Sequence, residues 1–105
     1  MNKGYYITSK GTKHIIEPNT DCKLYLSYMD IIELTIPYGT KWIYCSNNQL
    51  KELIIPDTVE YIRCLRNNNL SNLILPESIR WVDCDIGVLD MTKYKDTNID
   101  IILHI

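Results

Sequence analysis

Cysteine, histidine and closely spaced aspartate are the residues of this 105-residue chain with the means for catalysis or metal binding. Cys22, Cys45, Cys64 and Cys84 would suit a metal site or a disulfide framework if they came in short pairs, but no C-x-x-C occurs. The two histidines, His14 and His104, sit near opposite ends, so spacing points to no Ser/His/Asp or Cys/His set. Asp83 and Asp85 lie two apart and would share one face of a strand. Paired-carboxylate hydrolysis also needs an enclosing cleft and a partner acid with a shifted pKa. No glycine-rich phosphate loop appears among the four glycines. These readings predict a protein that is not an enzyme and carries no metal or cofactor.

The cysteine spacing itself carries information. Cys45, Cys64 and Cys84 are separated by 19 and 20 residues, and all four prolines, Pro18, Pro37, Pro56 and Pro76, keep the steps 19, 19 and 20. Apolar positions follow the same phase: Ile31, Leu50 and Leu70; Leu34, Leu53 and Leu73; Ile43, Ile62 and Val82. Extending the frame places Leu24 and Leu26 before them, and Ile101 and Leu103 after them. A fixed period of this length is the mark of a solenoid, in which each coil buries its apolar face against the next. Asn48 and Asn67 fall three residues after two of the phased cysteines, where their amides can pair the backbone groups of a tight turn.

The turn Pro56-x-x-Val59-x-x-Ile62-x-Cys64-x-x-Asn67, followed by Leu70-x-x-Leu73-x-Leu75-Pro76, resembles a leucine-rich repeat. The stretch from Pro37 to Leu53, with Trp42-Ile43-Tyr44-Cys45-Ser46-Asn47-Asn48, is similar to the short repeats of bacterial leucine-rich-repeat effectors. The chain departs from them in its single proline where those repeats usually carry Leu-Pro, and in Asp85-Ile86-Gly87, which lacks the asparagine. The resemblance implies a short parallel β-sheet on a concave side, an extended or irregular convex side and little helix. It covers the scaffold and implies no effector activity. One domain over residues 1–105 is expected: a β-hairpin cap in 1–17, with strands near 5–9 and 12–16 around Lys10-Gly11, repeats in 18–90, and a crossover with a last strand in 91–105. The crossover is expected to be short and helical or irregular.

Strand alternation then assigns the outward residues. The first predicted ladder is Lys23, Trp42, Tyr61, Trp81 and Asp100. The second is Tyr25, Tyr44, Arg63, Asp83 and Ile102; the third is Ser27, Ser46, Leu65, Asp85 and His104. Both tryptophans of the chain fall in the first ladder with a tyrosine between them. Trp, Tyr and Arg dominate binding energy at protein interfaces. The expected partner-binding residues are therefore Trp42, Tyr44, Tyr61, Arg63, Trp81 and Asp83, with Arg63 and Asp83 read as a surface ion pair. Cross-strand aromatic pairs would also stabilise the sheet itself, by roughly 0.2–1 kcal/mol each.

Composition narrows the partner. The net charge is −2 with no run of Lys or Arg, which disfavours a nucleic-acid footprint. No apolar run approaches the length of a membrane span, and the first residues lack a signal core. Ile, Leu and Tyr carry the core, with Phe absent and no Ala to favour helix. The abundance of Ile, Asn, Lys and Tyr fits an AT-rich coding source such as a virus or phage. Interior free thiols fit a cytoplasmic, reducing location. The expected function is protein–protein interaction through the concave aromatic face. The alternatives are self-assembly, as a homodimer through that face or the C-terminal edge strand, and carbohydrate binding.

Overall fold

The computed structural model describes residues 3–17, 20–67 and 69–105. Pro18, the first of the phased prolines, lies outside them. The described residues form β1 (Gly4–Thr8), β2 (Lys13–Ile16), β3 (Lys23–Tyr25), β4 (Ile31–Thr35), β5 (Trp42–Tyr44), β6 (Glu52–Ile54), β7 (Tyr61–Arg63), β8 (Trp81–Asp85), the helical turn α1 (Met91–Tyr94) and β9 (Asp100–His104). They make a β-solenoid. One sheet is entirely parallel, in the order β3-β5-β7-β8-β9, and a second runs β2-β1-β4-β6.

The coils close because the inward positions repeat. Leu24, Ile43, Ile62 and Val82 sit side by side in the parallel register and are buried, and Cys45, Cys64 and Cys84 are fully enclosed beside them. Leu34 and Leu53 pair in the same way on β4 and β6. Pro37, Pro56 and Pro76 each open a turn: their carbonyls accept the N–H of Thr40, Val59 and Ile79 at 3.2–3.3 Å. Proline suits this place because its φ is already set and its missing donor is not needed there.

The asparagines act as the repeat phase predicts, and they reach between coils. Asn48 Nδ2 donates to the carbonyls of Leu26 (2.8 Å) and Cys45 (3.1 Å), while Oδ1 accepts from the N–H of Met29 and Ile31. Asn67 repeats the pattern one coil on, donating to Cys45 and Cys64 carbonyls and accepting from Leu50 N–H. Each amide therefore ties its own turn to the previous one. The residue before each asparagine, Asn47 or Arg66, turns the chain with φ of 58° or 55°.

Three features differ from the sequence expectation. The side expected to be extended or irregular carries a paired sheet, with β4 and β6 parallel. The N-terminal hairpin forms as expected, but β1 pairs antiparallel with β4 and so extends that second sheet. Gly4 permits this, because a Cβ there would stand 2.4 Å from Pro37 Cδ and from the Thr35 carbonyl. Ser46 does not point out: it is buried, and its hydroxyl accepts the N–H of Leu65 at 3.0 Å. Strand β5 stops at Tyr44 and the chain turns through Asn47, so alternation no longer applies at residue 46.

Candidate functional site

The parallel register brings the first two predicted ladders together residue for residue. Trp42 faces Lys23 and Tyr61, Trp81 follows Tyr61, and Asp100 follows Trp81. Tyr25, Tyr44, Arg63, Asp83 and Ile102 form the row beside it. This placement follows from a constant repeat step, since in-register parallel strands put equivalent residues about 4.8 Å apart.

The rings of neighbouring strands lie against one another, stacked at Trp42–Tyr61 and tilted at Tyr61–Trp81. Trp42 and Tyr61 have centroids 4.3 Å apart at 28°, and Tyr61 and Trp81 are 6.1 Å apart and tilted by 44°. Tyr25 and Tyr44 lie parallel at 5.2 Å. Cations close the ends of the row: Lys23 Nζ lies 5.1 Å from the Trp42 ring and the Arg63 guanidinium 5.8 Å from Trp81. Trp42 thus has Tyr61 stacked on it and Lys23 beside it, while Trp81 is tilted against Tyr61 and has Arg63 beside it. Trp42, Tyr44, Tyr61 and Trp81 are half-buried as a result. A shallow groove of about 230 Å³ runs among them. A larger hollow of about 780 Å³ adjoins it, sharing Tyr61 and Trp81 and walled by Arg80, before β8, and by Lys93 and Tyr94 of the crossover. Periodicity did not reveal the hollow, because the crossover has no counterpart in the repeat.

Asp83 departs from its predicted role. It faces the ladder side, yet is only 3% exposed, so it is not half of a surface ion pair. Its Oδ2 accepts from Arg63 Nε at 3.0 Å, and His104 Nε2 lies 2.5 Å from Oδ1, an ion pair when the imidazole is protonated. Burial of a carboxylate is costly unless cations or donors attend it. Here Arg63 supplies one to Oδ2, while Oδ1 has no hydrogen-bond partner among the described residues and is attended by His104 as a cation only when the imidazole is protonated; Arg63 and His104 remain about half exposed. The carboxylate thereby fixes the guanidinium over Trp81. The sequence placed His104 only at the far end of the chain; the register of β9 on β8 brings it here. His14 stacks on Tyr6 in the hairpin, away from this group.

The three phased thiols, of Cys45, Cys64 and Cys84, are buried. Burial pushes the Cys45 thiol up to about 12. The Cys64 thiol is also raised, by its hydrogen bond with Cys84 and by burial. Cys22 lies outside this stack and is half-buried. Among the described residues no group of three His, Cys, Asp or Glu side chains is placed to hold a metal ion, and no helix is long and apolar enough to cross a membrane. No family model matches the chain, and neither curated proteins nor solved structures give a match.

Proposed function

We propose that this chain is a leucine-rich-repeat type interaction module that binds another protein through the Trp42–Tyr61–Trp81 row. The observation that carries this reading is the aromatic row itself, aligned on three adjacent strands, half-buried and lining a shallow groove. Rigid aromatics with few rotatable bonds lose little entropy on binding and dominate interface energies. Tyr44 and Arg63 extend the surface. Asp83 acts through Arg63 and His104 rather than by touching the partner. A long, shallow row suits a macromolecular surface, whereas small-molecule sites enclose most of their ligand. Carbohydrate binding has less support, because sugars pack on open ring faces, whereas Trp42 has Tyr61 stacked on it and Lys23 beside it, and Trp81 has Arg63 beside it. We further propose a non-catalytic role in a reducing cytoplasm, a setting that suits four free cysteines.

The test is affinity capture from the cells of origin with the wild-type chain and with Trp42→Ala plus Trp81→Ala. The proposal expects a protein retained by the wild type and lost by a folded double variant. Equal retention by both would remove the aromatic row as the site.

A further inference from the structure

The hollow beside the aromatic row has a lining of its own, and we propose that it binds a small zwitterion joining a quaternary ammonium to a phosphate, the phosphocholine group. Its volume of about 780 Å³ lies inside the roughly 300–1,000 Å³ of small-ligand sites. The groove along the row, at about 230 Å³, falls below that range. Tyr61 and Trp81 are common to both. The other groups that give the hollow its chemistry stand outside the row, so the proposal does not rest on protein binding there.

The crossover supplies the wall that the repeat lacks. Asp90 caps its helical turn by accepting Thr92 N–H at 3.1 Å, and the Thr97 N–H and hydroxyl close on the Tyr94 carbonyl at 3.2 and 2.7 Å. Tyr94 is held at its far end as well, where its hydroxyl accepts Leu75 N–H at 3.2 Å. Its ring stacks on no other ring among the described residues. Tyr61 and Trp81 meet at a tilt, and buried Leu75 and Ile79 supply apolar lining beneath the rings. Three aromatics thus border one space. Rings so placed attract a cation, and a quaternary ammonium suits them best because its methyl groups pack on the ring faces.

Four exposed charges complete the lining: Glu77 and Asp100 of one sign, Arg80 and Lys93 of the other. Glu77, Arg80 and Asp100 join no ion pair among the described residues, and Lys93 acts on Asp90 at its own helical turn. Opposite charges therefore border the hollow without neutralising each other. A pure cation would meet Arg80 and Lys93, and a pure anion would meet Glu77 and Asp100. A zwitterion satisfies both sets. Phosphate suits its acidic end, because two cations are at hand and a guanidinium can grip two phosphate oxygens at once.

Titration by calorimetry, with the two indole N–H resonances followed in parallel, tests the site. Phosphocholine is expected to bind with a Kd on the order of 0.1–1 mM, and choline or inorganic phosphate at least about tenfold more weakly. The Trp81 indole should shift more than that of Trp42, which lies outside the hollow. Arg80→Gln should weaken phosphocholine about tenfold without weakening choline, whereas Glu77→Gln with Asp100→Asn should weaken both. Glu52→Lys, on the second sheet, should alter none of these affinities. Phosphatidylcholine vesicles separate the sources: a membrane headgroup carries the chain down on sedimentation, and the free compound binds without it. Either result supports the site. Phosphocholine binding no tighter than choline or phosphate, a larger shift at Trp42 than at Trp81, or unchanged affinity in Arg80→Gln would overturn the proposal.

Discussion

Strands β5, β7 and β8 set aromatic beside aromatic, whereas β4 and β6 on the other side of the same coils set Glu33 beside Glu52. The parallel sheet continues through five coils; the second keeps only two coil strands, and the hairpin completes it. Residues 73–75, in the next coil after β6, form no strand, and Ile54 and Ile74 stand exposed there. Both sheets share one inward pattern and one core. They differ in what faces out, where like charges side by side destabilise and stacked rings stabilise. The inward pattern thus explains the fold, and the outward rows are where a function can be sought.

The strongest perturbation should strike both sheets together, because the core is common to them. Ile62→Ala empties space among residues of several coils, and about 3 kcal/mol of stability should be lost in urea unfolding. Amide exchange should rise in β4 and β6 as well as in β5 and β7; loosening confined to one sheet would show that they do not share a core. A somewhat smaller loss, about 2 kcal/mol, is expected for Asn67→Ala, which takes the side-chain partner from Leu50 N–H and the Cys64 carbonyl and leaves the Cys45 carbonyl with Asn48 alone of its two amide donors. Its exchange signature should centre on the turns leaving β5 and β7.

Alkaline pH provides a graded probe of the sealed side of the parallel sheet. Cys45 is held protonated in the fold, from an ordinary 9.0 up to about 12. A folded value raised above the unfolded one means that the stabilisation is complete below pH 9.0 and is lost as pH rises toward about 12. Wild-type stability should fall by about 1 kcal/mol per pH unit in that window from this thiol, and Cys45→Ala should show a correspondingly flatter decline. Equal slopes would mean that water reaches the thiol. The smallest effect is expected on the second sheet: Glu52→Lys replaces a like-charge pair with an opposite one and should add about 0.5 kcal/mol, read as a raised melting temperature.

Much of the parallel sheet was legible in the sequence, for a simple physical reason. When strands stack in register at a constant 19- or 20-residue step, phase in the chain is adjacency in space, so Trp42, Tyr61 and Trp81 could be placed side by side from spacing alone. The turn asparagines were legible for the same reason. What escaped was set by contacts that do not repeat. Docking of β1 on β4 depends on the missing side chain of Gly4 against Pro37, a meeting of hairpin and coil that no period encodes. Burial of Asp83 depends on Arg63 and His104 folding over it from both neighbouring strands. Ser46 turned inward because its strand had already ended, and the left-handed Asn47 after it was the local signal. The crossover hollow beside Tyr61 and Trp81 had no signal in the repeat.

The contrast between the two outward faces is tested most directly by measuring the affinity of the captured partner for two folded variants. Trp42→Ala with Trp81→Ala should weaken binding by roughly a hundredfold or more, as the loss of two central aromatics does at protein interfaces. Glu52→Ala with Ile54→Ala, on the second sheet, should change it by less than about twofold, the behaviour of residues outside an interface. Unchanged affinity in the first variant, or a large loss in the second, would contradict the assignment of binding to the aromatic row.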